Sequence, residues 1–145
     1  MKDTILPIEQ VVYVPSTSQS QKQISPQEMA RRVSEVKKFL SEKYGGFTSV
    51  KGEGGYAMMK GKSEKIIQEG VVKVTSFSTK NKYKTNKTKL LNKLRTWGKK
   101  WGQESMGLET EGDLKYVYSK VPITVKEMTE RHSPSWIEKE TKVWK

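Results

Sequence analysis

Among the carboxylates of this 145-residue sequence, Glu53, Glu69, Glu104, Glu109, Glu111 and Asp113 are available for acid–base chemistry. Their spacing sets no two of them at a fixed separation beside a nucleophile. Glu109, Glu111 and Asp113 alternate as a solvated strand edge and turn would. Glu69 and Glu104 lie inside strand-like segments, where pairing with a lysine is the structural reading. The sequence has no cysteine and one histidine, His132, so thiolate metal sites, disulfides and two-imidazole relays are excluded. No cofactor is implied. Gly52-Glu53-Gly54-Gly55 looks like a phosphate cradle, but a P-loop ends in Gly-Lys-Ser/Thr and opens a helix, whereas here Tyr56 follows in a β context.

The strongest chemical signal is charge. The net charge is +12, and residues 80 to 101 hold nine basic side chains and no acidic one. Such asymmetry suits a polyanionic partner. The candidate polyanion-binding residues are Lys82, Tyr83, Lys84, Lys89, Lys93, Arg95, Lys99 and Lys100. Tyr83 is the aromatic of a basic loop, suited to stacking on a base while lysines hold phosphates. Against this stands a count of 24 lysines to 4 arginines, because arginine is the better phosphate reader.

These groups need elements to hold them. Residues 8 to 14 read as a strand rich in β-branched residues, stopped by Pro15. Residues 16 to 25, rich in Gln and Ser, read as a flexible connection. Ser25, Pro26 and Glu28 spell a capping box and first turn. Met29, Val33, Val36, Leu40 and Tyr44 follow helical spacing, and Gly45-Gly46 ends the helix. Arg31, Arg32, Lys37 and Lys38 read as its solvated face. Residues 47 to 51 and 56 to 59 read as strand with a bend at the glycines between. After a turn at 61 to 63, strand continues over 65 to 69 and 71 to 77, with a bulge expected at Gly70. Residues 80 to 85 read as a basic loop. A second helix follows from about Asn86 to Trp101, with Leu90, Leu91, Leu94, Trp97 and Trp101 inward. Residues 103 to 109 and 113 to 118 form a hairpin about Glu111-Gly112.

The order β-α-β-β-α-β predicts an α+β, ferredoxin-like sandwich: an antiparallel sheet with two helices on one face, plus a C-terminal extension. One domain is expected over 1–120. Residues 121–145 form a tail with a short helix, in which Trp136 and Trp144 are candidate partner-docking anchors. No run of about 18 apolar residues or apolar leader is seen, which predicts a cytoplasmic protein without a membrane partner.

Gly45-Gly46-Phe47-Thr48, Gly54-Gly55-Tyr56, Glu69 before Val71-Val72-Lys73-Val74, and Trp101-Gly102-Gln103-Glu104 together resemble small bacterial and mobile-element proteins of phage or plasmid type. Those are ferredoxin-like domains of unknown function. The resemblance spans residues 8 to 118 and implies the fold without an activity.

Three readings of function follow. The first is a non-enzymatic basic protein that contacts nucleic acid or another polyanion through residues 80 to 101 by counterion release. The second is a structural or assembly protein that self-associates or docks on a larger complex through its tail. The third is an enzyme or small-molecule binder using the sheet face, with Tyr56, Glu69, Gln103 and Glu104 lining a pocket. The first is the expectation carried forward, and with it that the chain is not an enzyme.

Overall fold

The computed structural model describes residues 3–19 and 22–119. Its elements in chain order are β1 (Ile8–Pro15), α1 (Pro26–Tyr44), β2 (Thr48–Lys60), β3 (Ser63–Ser78), α2 (Lys80–Lys100), β4 (Ser105–Thr110) and β5 (Asp113–Tyr118). The strands form one antiparallel sheet in the order β2-β3-β1-β4-β5. This is the expected α+β arrangement, with β5 added as a hairpin partner of β4. Trp136, Trp144 and His132 lie outside the described residues.

Alternation builds the core. Val12 and Val14 of β1, Val72 and Val74 of β3, and Met106 and Leu108 of β4 are buried against the helices. Helix α1 contributes Val36, Leu40 and Tyr44, and α2 contributes Leu90, Leu94 and Trp97. Phe39 meets Trp97 edge-on at 5.7 Å, and Trp97 stacks on Trp101 at 5.6 Å. The tryptophans of α2 are therefore core, as their spacing predicts.

The helix starts show where local signals hold and where they fail. Ser25 caps α1 by accepting from Glu28 N at 3.1 Å. The Glu28 carboxylate turns to Arg31 and Arg32. Helix α2 begins six residues earlier than expected, because Thr79 Oγ1 caps it by accepting from Lys82 N at 3.2 Å. The expected basic loop is thus the first turns of α2. Asn86, expected at the start of the helix, lies within it and is buried, and its Nδ2 donates to Lys82 O and Lys43 O, tying α2 to the end of α1.

Two further expectations are corrected. The β2–β3 ladder keeps one register from Thr48↔Thr75 to Lys60↔Ser63, so neither Gly52–Gly55 nor Gly70 forms a bulge. Strand β4 starts at Ser105, which leaves Gln103 and Glu104 in the turn after α2. The β4–β5 hairpin closes through Glu111 (φ 52°) and Gly112 (φ 84°), a two-residue turn needing positive φ at both positions.

Candidate functional site

β1 and β3 pair antiparallel, ending at Pro15↔Val71. Continuing that register two places sets Ser16 beside Gly70 and Thr17 beside Glu69. The structure fits this continuation. A Cβ at Gly70 would lie 3.5 Å from Ser16 Oγ, and Thr17 Oγ1 donates to Glu69 Oε2 at 2.9 Å. The segment expected to be a flexible connection is folded back on itself. Thr17 bridges to Gln23, Ser18 N donates to Lys22 O at 2.7 Å, and Ile24 N donates to Ser16 O at 3.0 Å.

Two other elements reach the same loop. Arg32 of α1 was expected on a solvated face; it is 3% exposed. Its Nη1 donates to Thr17 O at 2.8 Å and to Pro15 O at 2.9 Å. Its Nε lies 3.5 Å from Glu28 Oε2, and its guanidinium carbon 5.2 Å from the centroid of the Trp101 ring. Burial pushes this guanidinium below its usual pKa, and the Glu28 carboxylate pulls it back up. Gln103 approaches from the α2–β4 turn, its Nε2 donating to Thr17 O at 2.7 Å and to Trp101 O at 3.1 Å. The turn is made possible by Gly102 (φ +69°), where an added Cβ would sit 2.7 Å from Gln19 N. Only a residue without a side chain permits that approach.

The result is a polar junction at the end of the sheet. Glu69 spends one oxygen on Thr17 and has Oε1 to offer. Gln103 spends both amide protons on main-chain carbonyls, so its Oε1 is what it can present. Each thus leaves one acceptor oxygen, which suits a ligand that brings donors or positive charge. Buried Ser16 Oγ, next to Gly70, has no hydrogen-bond partner among the described residues.

Of the four residues expected to line a pocket, Glu69 and Gln103 are brought together on Thr17. Glu104 follows Gln103 with an exposed side chain, its carbonyl accepting from Ser119 N at 2.9 Å. Tyr56 lies in β2 opposite Ile67, two register places from the Gly54↔Glu69 pair. Thr17 and Arg32 were missed. Arg32 flanks the apolar stripe of α1, which is the one local hint; Thr17 has none.

The expected polyanion residues are strung along α2. Lys82, Lys84, Lys89, Lys93 and Lys99 are exposed. Lys100 is neutralised by Glu35 at 2.8 Å. Arg95 is half-buried and donates to Asn92 Oδ1 at 3.3 Å. Tyr83 is half-buried inside the first helical turn, with Lys87 Nζ 5.8 Å from its ring centroid. It is not the free loop aromatic expected for base stacking. Among the described residues no three His, Cys, Asp or Glu side chains gather as a metal site, and no helix is long and apolar enough to cross a membrane.

No family model matches the chain, and no curated protein matches its sequence. A solved structure does match its fold: a phage SAM lyase in complex with S-methyl-5'-thioadenosine. The likeness covers 81% of this chain and 94% of that one, with a TM-score of 0.55 and 12% sequence identity. It shows the fold, and it extends the resemblance to mobile-element proteins only as far as a shared scaffold. It also overturns the expectation of a non-enzymatic basic binder, since in that protein the same scaffold houses an enzyme. That expectation is withdrawn.

Proposed function

We propose that the chain is an enzyme that cleaves S-adenosylmethionine to release S-methyl-5'-thioadenosine, acting at the junction of Glu69, Gln103 and Thr17. The observation that carries this reading is the convergence on Thr17 of Glu69, which accepts from its hydroxyl, and Gln103, which donates to its carbonyl, in a fold that a SAM lyase shares over most of its length.

The chemistry is compatible with the residues present. The sulfonium sulfur is already activated as a leaving group. When its bond to the four-carbon amino-acid arm breaks, the electron pair goes to sulfur and a neutral thioether departs. A lyase takes no water into the product, so the arm's own carboxylate oxygen bonds to the carbon as sulfur leaves it, closing a lactone while the carboxylate and sulfonium charges cancel. The protein has to exclude water and hold the arm in the reactive conformation. Glu69 Oε1 and Gln103 Oε1 hold the arm by accepting from its ammonium group, a charge-assisted contact on the Glu69 side. No cofactor is consumed.

The test is direct. Purified protein is incubated with S-adenosylmethionine, and S-methyl-5'-thioadenosine is quantified by liquid chromatography and mass spectrometry. The reading requires thioether formation above the uncatalysed rate. Glu69→Gln keeps size and shape but removes the charge; it is expected to lower kcat about 100-fold, or about 3 kcal/mol. A folded wild-type protein that forms no thioether overturns the reading.

A further inference from the structure

Thr17 stands where β1, α1, β3 and the α2–β4 turn meet, and it is 7% exposed. Its side chain bonds Glu69, while its carbonyl takes Arg32 and Gln103 together. A buried arginine ordinarily spends its fork on a carboxylate. Arg32 instead directs Nη1 at two main-chain oxygens, Pro15 O and Thr17 O, with a carboxylate only at its Nε. A cation that is costly to bury is thus used to fix one short stretch of backbone. The opposite side of the loop is fixed by the approach of Gly102 to Gln19.

From this we infer that Thr17 is the positioning residue of the site: its hydroxyl fixes Glu69 Oε2, which aims Oε1 at the ligand, and its carbonyl fixes Gln103 in the matching orientation. The inference rests on the proposed lyase activity and adds the element that orients it. A carboxylate free to rotate would present two equivalent oxygens over a range of angles. Held by Thr17, it presents one. Misplacement by about 1 Å is enough to cost about two orders of magnitude in rate, so the hydroxyl has kinetic weight without touching substrate.

The experiment compares Thr17→Val, which keeps the shape and loses the hydroxyl, with Thr17→Ser, which keeps the hydroxyl and loses the methyl. Steady-state kinetics on S-adenosylmethionine are measured for both and for each combined with Glu69→Gln. Thr17→Val is expected to lower kcat about tenfold or more with KM changed less than about threefold, and Thr17→Ser to stay within about threefold of wild type. In the Glu69→Gln background Thr17→Val should cost little more, since the charged oxygen it aims is gone. Thermal melting of each variant is recorded alongside; should Thr17→Val lose its transition, Thr17→Ala is read in its place. Wild-type kcat in the hydroxyl-free variant, or an undiminished loss in the Glu69→Gln background, overturns the positioning role while leaving the activity standing. An inert wild type overturns both.

Discussion

The outer face of α2 and the junction at Thr17 are both polar surfaces, built on opposite plans. On α2 the charge is dense and the groups are loosely held: Lys84, Lys89 and Lys99 extend from one helix into solvent, and among the described residues Lys100 is the lysine there with a carboxylate partner, Glu35. At Thr17 there are few charges, and each group is tethered to another from a distant segment: residues 17, 32, 69 and 103 meet within one set of hydrogen bonds. Charge density identifies a surface that can attract anions. Convergence of tethered groups identifies a place that can hold a molecule in one orientation, and chemistry needs the second.

The comparison breaks most visibly in the interior of α2. Trp97 is 1% exposed and joins Phe39 to Trp101. Trp97→Ala is expected to cost about 3–5 kcal/mol, read as a lowered denaturation midpoint in urea. A change below about 1 kcal/mol would mean that α2 is not anchored by this face. Gly102→Ala comes next. It puts a side chain at φ +69°, against backbone 2.7 Å away, and should cost about 1–2 kcal/mol or more while also lowering kcat by moving Gln103 off Thr17. Full activity in that variant would separate the loop from the site.

A smaller effect concerns pH. Burial, then the hydrogen bond and charge of Glu109, raise the pKa of Tyr13 above the ordinary 10.0. Burial chiefly raises that of Tyr44. The fold thus favours both phenols protonated. Their contribution is complete below the unfolded value of 10.0 and is lost as pH rises through the higher folded values. Melting temperature should fall over that alkaline range, and Tyr44→Phe should flatten the fall. An unchanged slope in Tyr44→Phe contradicts it. The smallest expected effect is on the cationic face: changing Lys84, Lys89 and Lys99 together to Gln should alter stability by about 0.5 kcal/mol or less per site and leave turnover of S-adenosylmethionine within about twofold.

Much of the architecture is legible in the sequence because its signals are local. Ser25-Pro26 starts α1, Leu90, Leu94 and Trp97 mark the buried side of α2, and Glu111-Gly112 folds the last hairpin. Glu69 and Gln103 could be singled out as candidate residues. Their meeting point could not, since Thr17 sits in a stretch of Ser and Gln with no periodicity. Its order comes from Arg32, Glu69 and Gln103, each far away in sequence. Arg32 reads as solvated because nothing local shows that two carbonyls await it across 15 and 17 residues. Asn86 reads as the start of the second helix, yet it lies within it and its bonds tie two helices together. Gly70 reads as a bulge, while its actual role is to lie beside Ser16 in an unbroken ladder.

The most direct test sets the two surfaces against each other in one assay. The rate of S-methyl-5'-thioadenosine release from S-adenosylmethionine is measured for wild type, for Glu69→Gln, and for the triple variant Lys84→Gln, Lys89→Gln, Lys99→Gln. Wild type and the triple variant are expected to agree within about twofold, with Glu69→Gln about 100-fold slower. A slow triple variant beside a fully active Glu69→Gln, or no product from any of the three, would contradict the assignment of the site to the Thr17 junction.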